Sequence, residues 1–388
     1  MTTALLDATS ERSLLDIATS FGPAIRAQHE QLDAQRRLPP HLAIGLAEAG
    51  LFKLLMPARY GGHEVDPATA LATIEALAAS DGSVGWLSLA NVGGLCMGLL
   101  AESAVRVLLD ANPDVVVGGT LVPSGIAQRV PGGYRVSGRW GFASGVQHSG
   151  WMMVGCVVVD ESRAAETGMR ALFVPTDDLR VIDTWSVNGL RGTGSHDIVV
   201  DDIFVPEELS FTPGDPAVEP GPLYRFPIRS LGAAGIAAVC LGIARCAVDA
   251  FIRLATTKTP TMSVGVLGER FHAQHAFAKA EALVQSSRTW LYGCIEDSWS
   301  MVVAGDIVPI EQQARMRLAA TNACTNAVMA VDLIHAASGG AGLFVSSPIE
   351  RSFRDVHAAG QHFSVQEGTY ELVARTLLGL PGVGGPPL

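Results

Sequence analysis

Three successive textures predict an α+β chain: a helical N-terminal part, a central β part of sandwich or barrel type, and a C-terminal bundle of four helices. Apolar residues recur at helical spacing over 1–113, and short β-branched runs separated by glycine, proline and aspartate fill 114–222. Long Ala- and Leu-rich stretches return over 223–388. The strands do not alternate with helices of useful length, which disfavours a doubly wound nucleotide-binding sheet.

In the first part, Ser10-Glu11 opens the helical run LLDIATSFGPAIRAQHEQLD, and Pro39-Pro40 starts a second in which Leu42, Leu46 and Leu51, with Ile44 and Ala47, fall near helical spacing. A glycine-rich loop spans Pro57 to Pro67, and Ala68 to Ala79 is helical again. Gly82 to Ala101 is uncharged and long enough to cross a membrane, but Ser83, Ser88, Asn91 and several glycines interrupt it. A buried helix is the better expectation.

The central part offers Val115 to Val117, Ala127 to Val130, Tyr134 to Ser137, Trp151 to Val159, Ala171 to Val174 and His196 to Val205 as strands. Pro131-Gly132-Gly133 supplies a tight turn. Residues 212–222, TPGDPAVEPGP, hold four prolines and form a linker. Leu231 to Ala255, Phe271 to Ser298, Ile310 to Ser338 and Glu350 to Leu380 are then the helices, the third stopped by Gly339-Gly340. The uncharged segment Leu231 to Ala244 needs apolar neighbours on most faces, which predicts packing against another subunit.

Composition narrows the function. The chain has 388 residues, 48% hydrophobic and only 17% charged, enough apolar material for a large core. Its net charge is −11 and it has no basic run, which argues against nucleic-acid binding. Six scattered cysteines form no CxxC pair, so neither a cysteine zinc site nor a disulfide framework is expected. The first residues carry acids and lack a basic region followed by an apolar one, so the cytoplasm is the expected location. No GxGxxG, phosphate loop or HExxH is present. Glu269-x-x-His272 has the spacing of half a di-iron ligand set, but no second pair accompanies it, and no metal is expected.

Five patterns occur in order: Leu51-Phe52 through Pro57-x-x-Tyr60-Gly61-Gly62; Gly138 through Gly145 (GRWGFASG); Asn188 through Ser195 (NGLRGTGS) followed by Val200 to Pro206; Ser338 through Gly342; and Arg351 through Arg354-Asp355. Together they resemble the acyl-CoA dehydrogenase superfamily. Asp81 through Trp86 (DGSVGW), Trp140-x-x-Ala143-Ser144-Gly145 and Arg354 through His362 (RDVHAAGQH) are more similar to the oxygenase components of two-component flavin-dependent monooxygenases.

That resemblance implies reduced FAD or FMN delivered by a separate NAD(P)H:flavin reductase. It also implies O2 as co-substrate, a flavin C4a-hydroperoxide, and hydroxylation of a small aromatic, indole-like or amine substrate by a homo-oligomer, dimer or tetramer. It puts Ser144 near flavin N5, Thr120 as a second flavin-side hydroxyl, and Trp140 and Phe142 on the flavin-contacting strand. Arg270 would reach a neighbour's flavin phosphates. His362 would be the catalytic polar group, with His357 as its competitor. Asn91 stands on the wall where related aromatic hydroxylases have a histidine. The residue types leave plain alternatives: Ser144 satisfying its own backbone, Trp140 in the β core, Arg270 at the surface. The competing reading is an FAD-dependent acyl-CoA or acyl-carrier dehydrogenase with Glu367, in Glu367-Gly368-Thr369, as α-proton base; otherwise Glu367 is a helix-start carboxylate.

Overall fold

A computed structural model describes residues 13–90, 93–160 and 168–381. Eight helices come first: α1 Leu14–Ser20, α2 Gly22–Arg26, α3 His29–Gln35, α4 Pro40–Glu48, α5 Pro67–Ala78, α6 Gly82–Ala90, α7 Gly93–Cys96 and α8 Glu102–Leu109. The run expected as one helix after Ser10 is broken into three. Pro23 starts a new helix at α2, and Arg36 ends α3 in the left-handed region at φ 54°. Asp66 caps α5 by accepting the Thr69 N–H, and Asp81 accepts the Ser83 N–H at the start of α6.

The strands are β1 Val117–Val130, β2 Gly133–Ala143, β3 Trp151–Val159, β4 Met169–Pro175, β5 Arg180–Ile182, β6 His196–Pro206 and β7 Ser210–Phe211. They join in a single sheet of order β5-β6-β2-β1-β3-β4-β7, antiparallel throughout except for the parallel pair β1 and β3. Register shifts interrupt β1 between Thr120 and Gly125 and β2 between Trp140 and Ala143. Gly125 and Gly138 face one another across β1 and β2, and the Trp140 ring fills the space between. A Cβ on Gly125 would lie 2.0 Å from that ring, so a side chain is excluded there.

The C-terminal part holds α9 Ile228–Thr257, α10 Phe271–Ala304, α11 Ile310–Ser338, α12 Pro348–Ala359 and α13 Gly368–Leu377. Gly305 at φ 93° ends α10 and Gly339 at φ 56° ends α11. The stretch expected as one helix from Glu350 to Leu380 is two, separated by a 3-10 turn at Phe363–Val365. Helix α9 is long and apolar enough to cross a membrane, but 83% of its most apolar stretch is buried inside this chain. Its helical neighbours are α5, α6, α10, α11 and α12. The chain's own helices therefore cover the faces for which the sequence suggested a second subunit. The six cysteines are free thiols, with Cys240 and Cys324 in contact between α9 and α11.

One tie between N-terminal helices and sheet is sensitive to acid. Nε2 of His148 accepts the Leu38 N–H at 3.1 Å, and burial followed by the charge of Arg37 lowers its pKa to about 4. The unfolded chain binds this proton near pH 6.5 and the folded chain does not. This contribution is complete above about pH 6.5 and is lost as the pH falls toward about 4. Across that window wild type should lose about 1.4 kcal/mol per pH unit relative to His148→Gln. Urea unfolding of both proteins at several pH values measures the difference, and parallel profiles would refute it.

Candidate functional site

Four elements converge where the sheet meets the two helical parts. Strand β2 ends in Phe142 and Ala143, and Ser144 follows before the chain turns at Gly145, φ 73°. Helix α6 contributes Trp86, whose Nε1–H donates to Ser144 Oγ at 3.1 Å. The loop 188–195 contributes Thr193 and Ser195, and the turn after α12 contributes His362. The His362 and Trp86 rings meet edge to face at 5.7 Å between centroids.

The hydroxyls form a row with a definite direction. Thr193 Oγ1 donates to the Leu190 carbonyl at 2.8 Å, so its contact with Ser195 Oγ, at 2.7 Å, is made as acceptor. Ser195 has then used its only proton, and Ser144, 2.7 Å away, must donate to it. Ser144 Oγ is left as an acceptor: one lone pair takes the Trp86 N–H, and the other remains available. Neither Ser144 nor Ser195 is more than 8% exposed, so the row's direction is set by protein groups.

The loop that carries Thr193 and Ser195 is pinned from both helical parts. Leu190 N donates to Asp355 Oδ1 at 2.7 Å, Gly192 N to Ser83 Oγ at 3.1 Å, and Arg354 Nη1 to the Asn188 carbonyl at 2.8 Å. A Cβ on Gly189 would lie 2.1 Å from the Arg354 carbonyl oxygen. Behind these contacts, Arg351 is met by Asp81 at 2.7 Å, Asp33 at 2.9 Å and Asp355 at 3.9 Å. Burial pushes the Asp355 carboxyl above its ordinary range, against the pull of Arg351 and with Asp81 adding to the rise. The Asp81 and Arg351 patterns thus lock the site's scaffold from positions 270 residues apart.

His362 Nδ1 accepts the Ser364 N–H at 3.3 Å, which assigns the ring proton to Nε2. Burial, with the nearby charge of Arg317, lowers the His362 pKa to about 4. The ring is therefore neutral at ordinary pH and offers an N–H donor at Nε2, rather than a base.

The other residues singled out by sequence fall elsewhere. Trp140 is fully buried and spends its only N–H on the Gly155 carbonyl at 2.7 Å, so its ring packs within the sheet. Phe142 is 75% exposed, adopts the left-handed φ of 58°, and meets the Trp185 ring edge-on at 6.1 Å. Thr120 is buried on β1 opposite Val154; among the described residues it makes no side-chain hydrogen bond to the row. Arg270 stands at the start of α10 with Nη2 on the Val264 carbonyl, 2.6 Å away. His357 is drawn outward, to the Phe353 carbonyl at 2.7 Å and Asp332 at 3.4 Å. Glu367 is exposed at the start of α13. Asn91 lies outside the described residues.

The sequence placed Thr193, Ser195 and Trp86 within patterns but pointed to no role for any of them. Arg317 was also missed, although a charge within the buried stripe Ala314, Ala320 and Cys324 of α11 was a visible signal.

Comparison with known proteins adds the following. The family pattern described as acyl-CoA dehydrogenase, N-terminal domain, matches residues 11–104, and that described as acyl-CoA dehydrogenase, C-terminal domain, matches residues 234–367. An indole-3-acetate monooxygenase of Pseudomonas putida is 31% identical over 360 residues, 92% of each chain. The flavin-dependent monooxygenase oxygenase subunit HsaA of Rhodococcus jostii is 31% identical over 374 residues, 92% of this chain and 96% of that one. The crystal structure of 3-HSA hydroxylase from Rhodococcus sp. RHA1 superimposes with a TM-score of 0.91 at 28% identity, covering 96% of this chain and 98% of that one.

Proposed function

This chain belongs to the flavin-dependent monooxygenase oxygenase components of the acyl-CoA dehydrogenase superfamily, and from that premise we propose that it hydroxylates a small aromatic or indole-type substrate. Its reduced FAD or FMN comes from a separate NAD(P)H:flavin reductase, and the working form is a homo-oligomer. The reading is carried by the directed hydroxyl row ending at Ser144, beside Trp86 and His362.

These residues fit a reduced flavin ring. Its N5–H needs an acceptor, and Ser144 Oγ keeps one lone pair for it because its own proton is committed to Ser195. The exposed face of Phe142, beside Trp185, offers an apolar platform at the end of the same strand. The cofactor, when bound, supplies the electrons that activate O2. The protein's contribution is to hold the ring with few hydrogen bonds, exclude water, and present the His362 Nε2–H to an oxygen of substrate or co-substrate. Arg270, with the exposed Met262, Val264 and Phe271 around it, suits the cofactor of a neighbouring copy.

Ser144→Ala removes the acceptor and should raise the release of hydrogen peroxide from reduced flavin and O2 by about 10-fold, the worth of one such bond. Ser195→Ala leaves Ser144 in place but unties its proton, and should raise the leak less. Peroxide assays with chemically reduced FAD and FMN read both variants. An unchanged leak in Ser144→Ala would refute this placement.

A further inference from the structure

Two arginines of the C-terminal helices are equally buried, each 7% exposed, yet only one is neutralised. Arg351 on α12 faces three carboxylates. Among the described residues no carboxylate pairs with Arg317 on α11: its Nη2 donates to the Ser364 carbonyl at 3.1 Å, and its buried Nε meets no acceptor there. The charge that bears on it most is another cation, Arg229 near the start of α9. A guanidinium taken out of water costs several kcal/mol unless an anion meets it. A single backbone bond does not require one.

Its position says where the anion comes from. Ser364 lies in the turn that carries His362, and His362 in turn meets Trp86. Nε and the second N–H of Nη2 make the edge by which a guanidinium takes a carboxylate in two parallel bonds.

We propose that Arg317 anchors a carboxylate of the substrate, so that this enzyme takes an aromatic acid, its ring held by Trp86 and His362 and its acid group by Arg317. The proposal rests on the hydroxylase reading above and narrows its substrate class to ring compounds bearing an anionic side chain.

The test is equilibrium binding, read by tryptophan fluorescence with no turnover. The probes are benzoate, phenylacetate, 3-phenylpropanoate and indole-3-acetate, each paired with its uncharged amide. Wild type should bind at least one acid about 10-fold more tightly than its amide. Arg317→Gln should erase that preference while binding the amide as before, and Arg317→Lys should keep part of it. Absence of any acid preference in wild type overturns the proposal, as does a preference that survives intact in Arg317→Gln. An acid preference in a protein that makes no hydroxylated product with reduced flavin and O2 would refute the hydroxylase reading while leaving the anion site. Hydroxylation without the preference would do the reverse.

Discussion

Replacing His362 by alanine is expected to lower product formation by about 100-fold while leaving flavin affinity within a factor of two or so, the scale of losing one pre-aimed donor. The direction follows from the tautomer: with Nδ1 occupied by the Ser364 N–H, Nε2 carries the proton. His362→Gln, whose amide N–H can donate, should recover part of the rate, and His362→Glu should recover none near neutral pH. Because the pKa is lowered to about 4, the free protein should hold a neutral ring throughout pH 6–8, and this group should add no break to the pH–rate profile there. Product and peroxide are quantified together with each variant. Equal loss of flavin binding and turnover would show that the residue only shapes the turn.

The second large effect is on stability. Arg351→Met should destabilise the protein by about 3–5 kcal/mol, because Asp81 and Asp355, both 3% exposed, would be left without their cation. That is a large share of the margin of about 5–15 kcal/mol typical of a domain. The deficit should shrink on acidification, since stranded carboxylates have raised pKa values and folding is favoured where they are protonated. Urea titrations at pH 7 and pH 5 check both the size and the trend. A loss below about 1 kcal/mol at pH 7 would mean that the network tolerates a missing member. The same substitution should loosen the 188–195 loop, so peroxide leak is a second readout.

The parts of the fold that were legible share one property: their signal is local. Helix α11 was read to its end residues, with glycine stopping it, and the structure adds Pro309 as the residue that precedes it. The order of helical, β and helical parts followed from texture alone. What escaped depended on partners far along the chain. Asp81 was recognised within a motif, but its pairing with Arg351 and its cap on α6 need the folded chain. Trp140 stands in the pattern that resembles a flavin strand, yet two glycines opposite each other, Gly125 and Gly138, draw its ring into the sheet. Ser195 carries no periodic signal at all. Its importance comes from a 2.7 Å approach to a residue 51 positions earlier. His362 was separable from His357 only once the turn after α12 was seen to bring one inward to Trp86 and leave the other outside.

The sheet's two margins are much shorter than its middle. Its interior strands run to 14 residues, whereas the outermost ones, β5 and β7, have three and two. So little unpaired backbone gives an intruding strand almost nothing to zip onto, which guards a chain this rich in β-branched runs against fibre-like stacking. Among the described residues, exposed apolar side chains such as Met329 and Phe271 stand on helix surfaces instead, away from either margin.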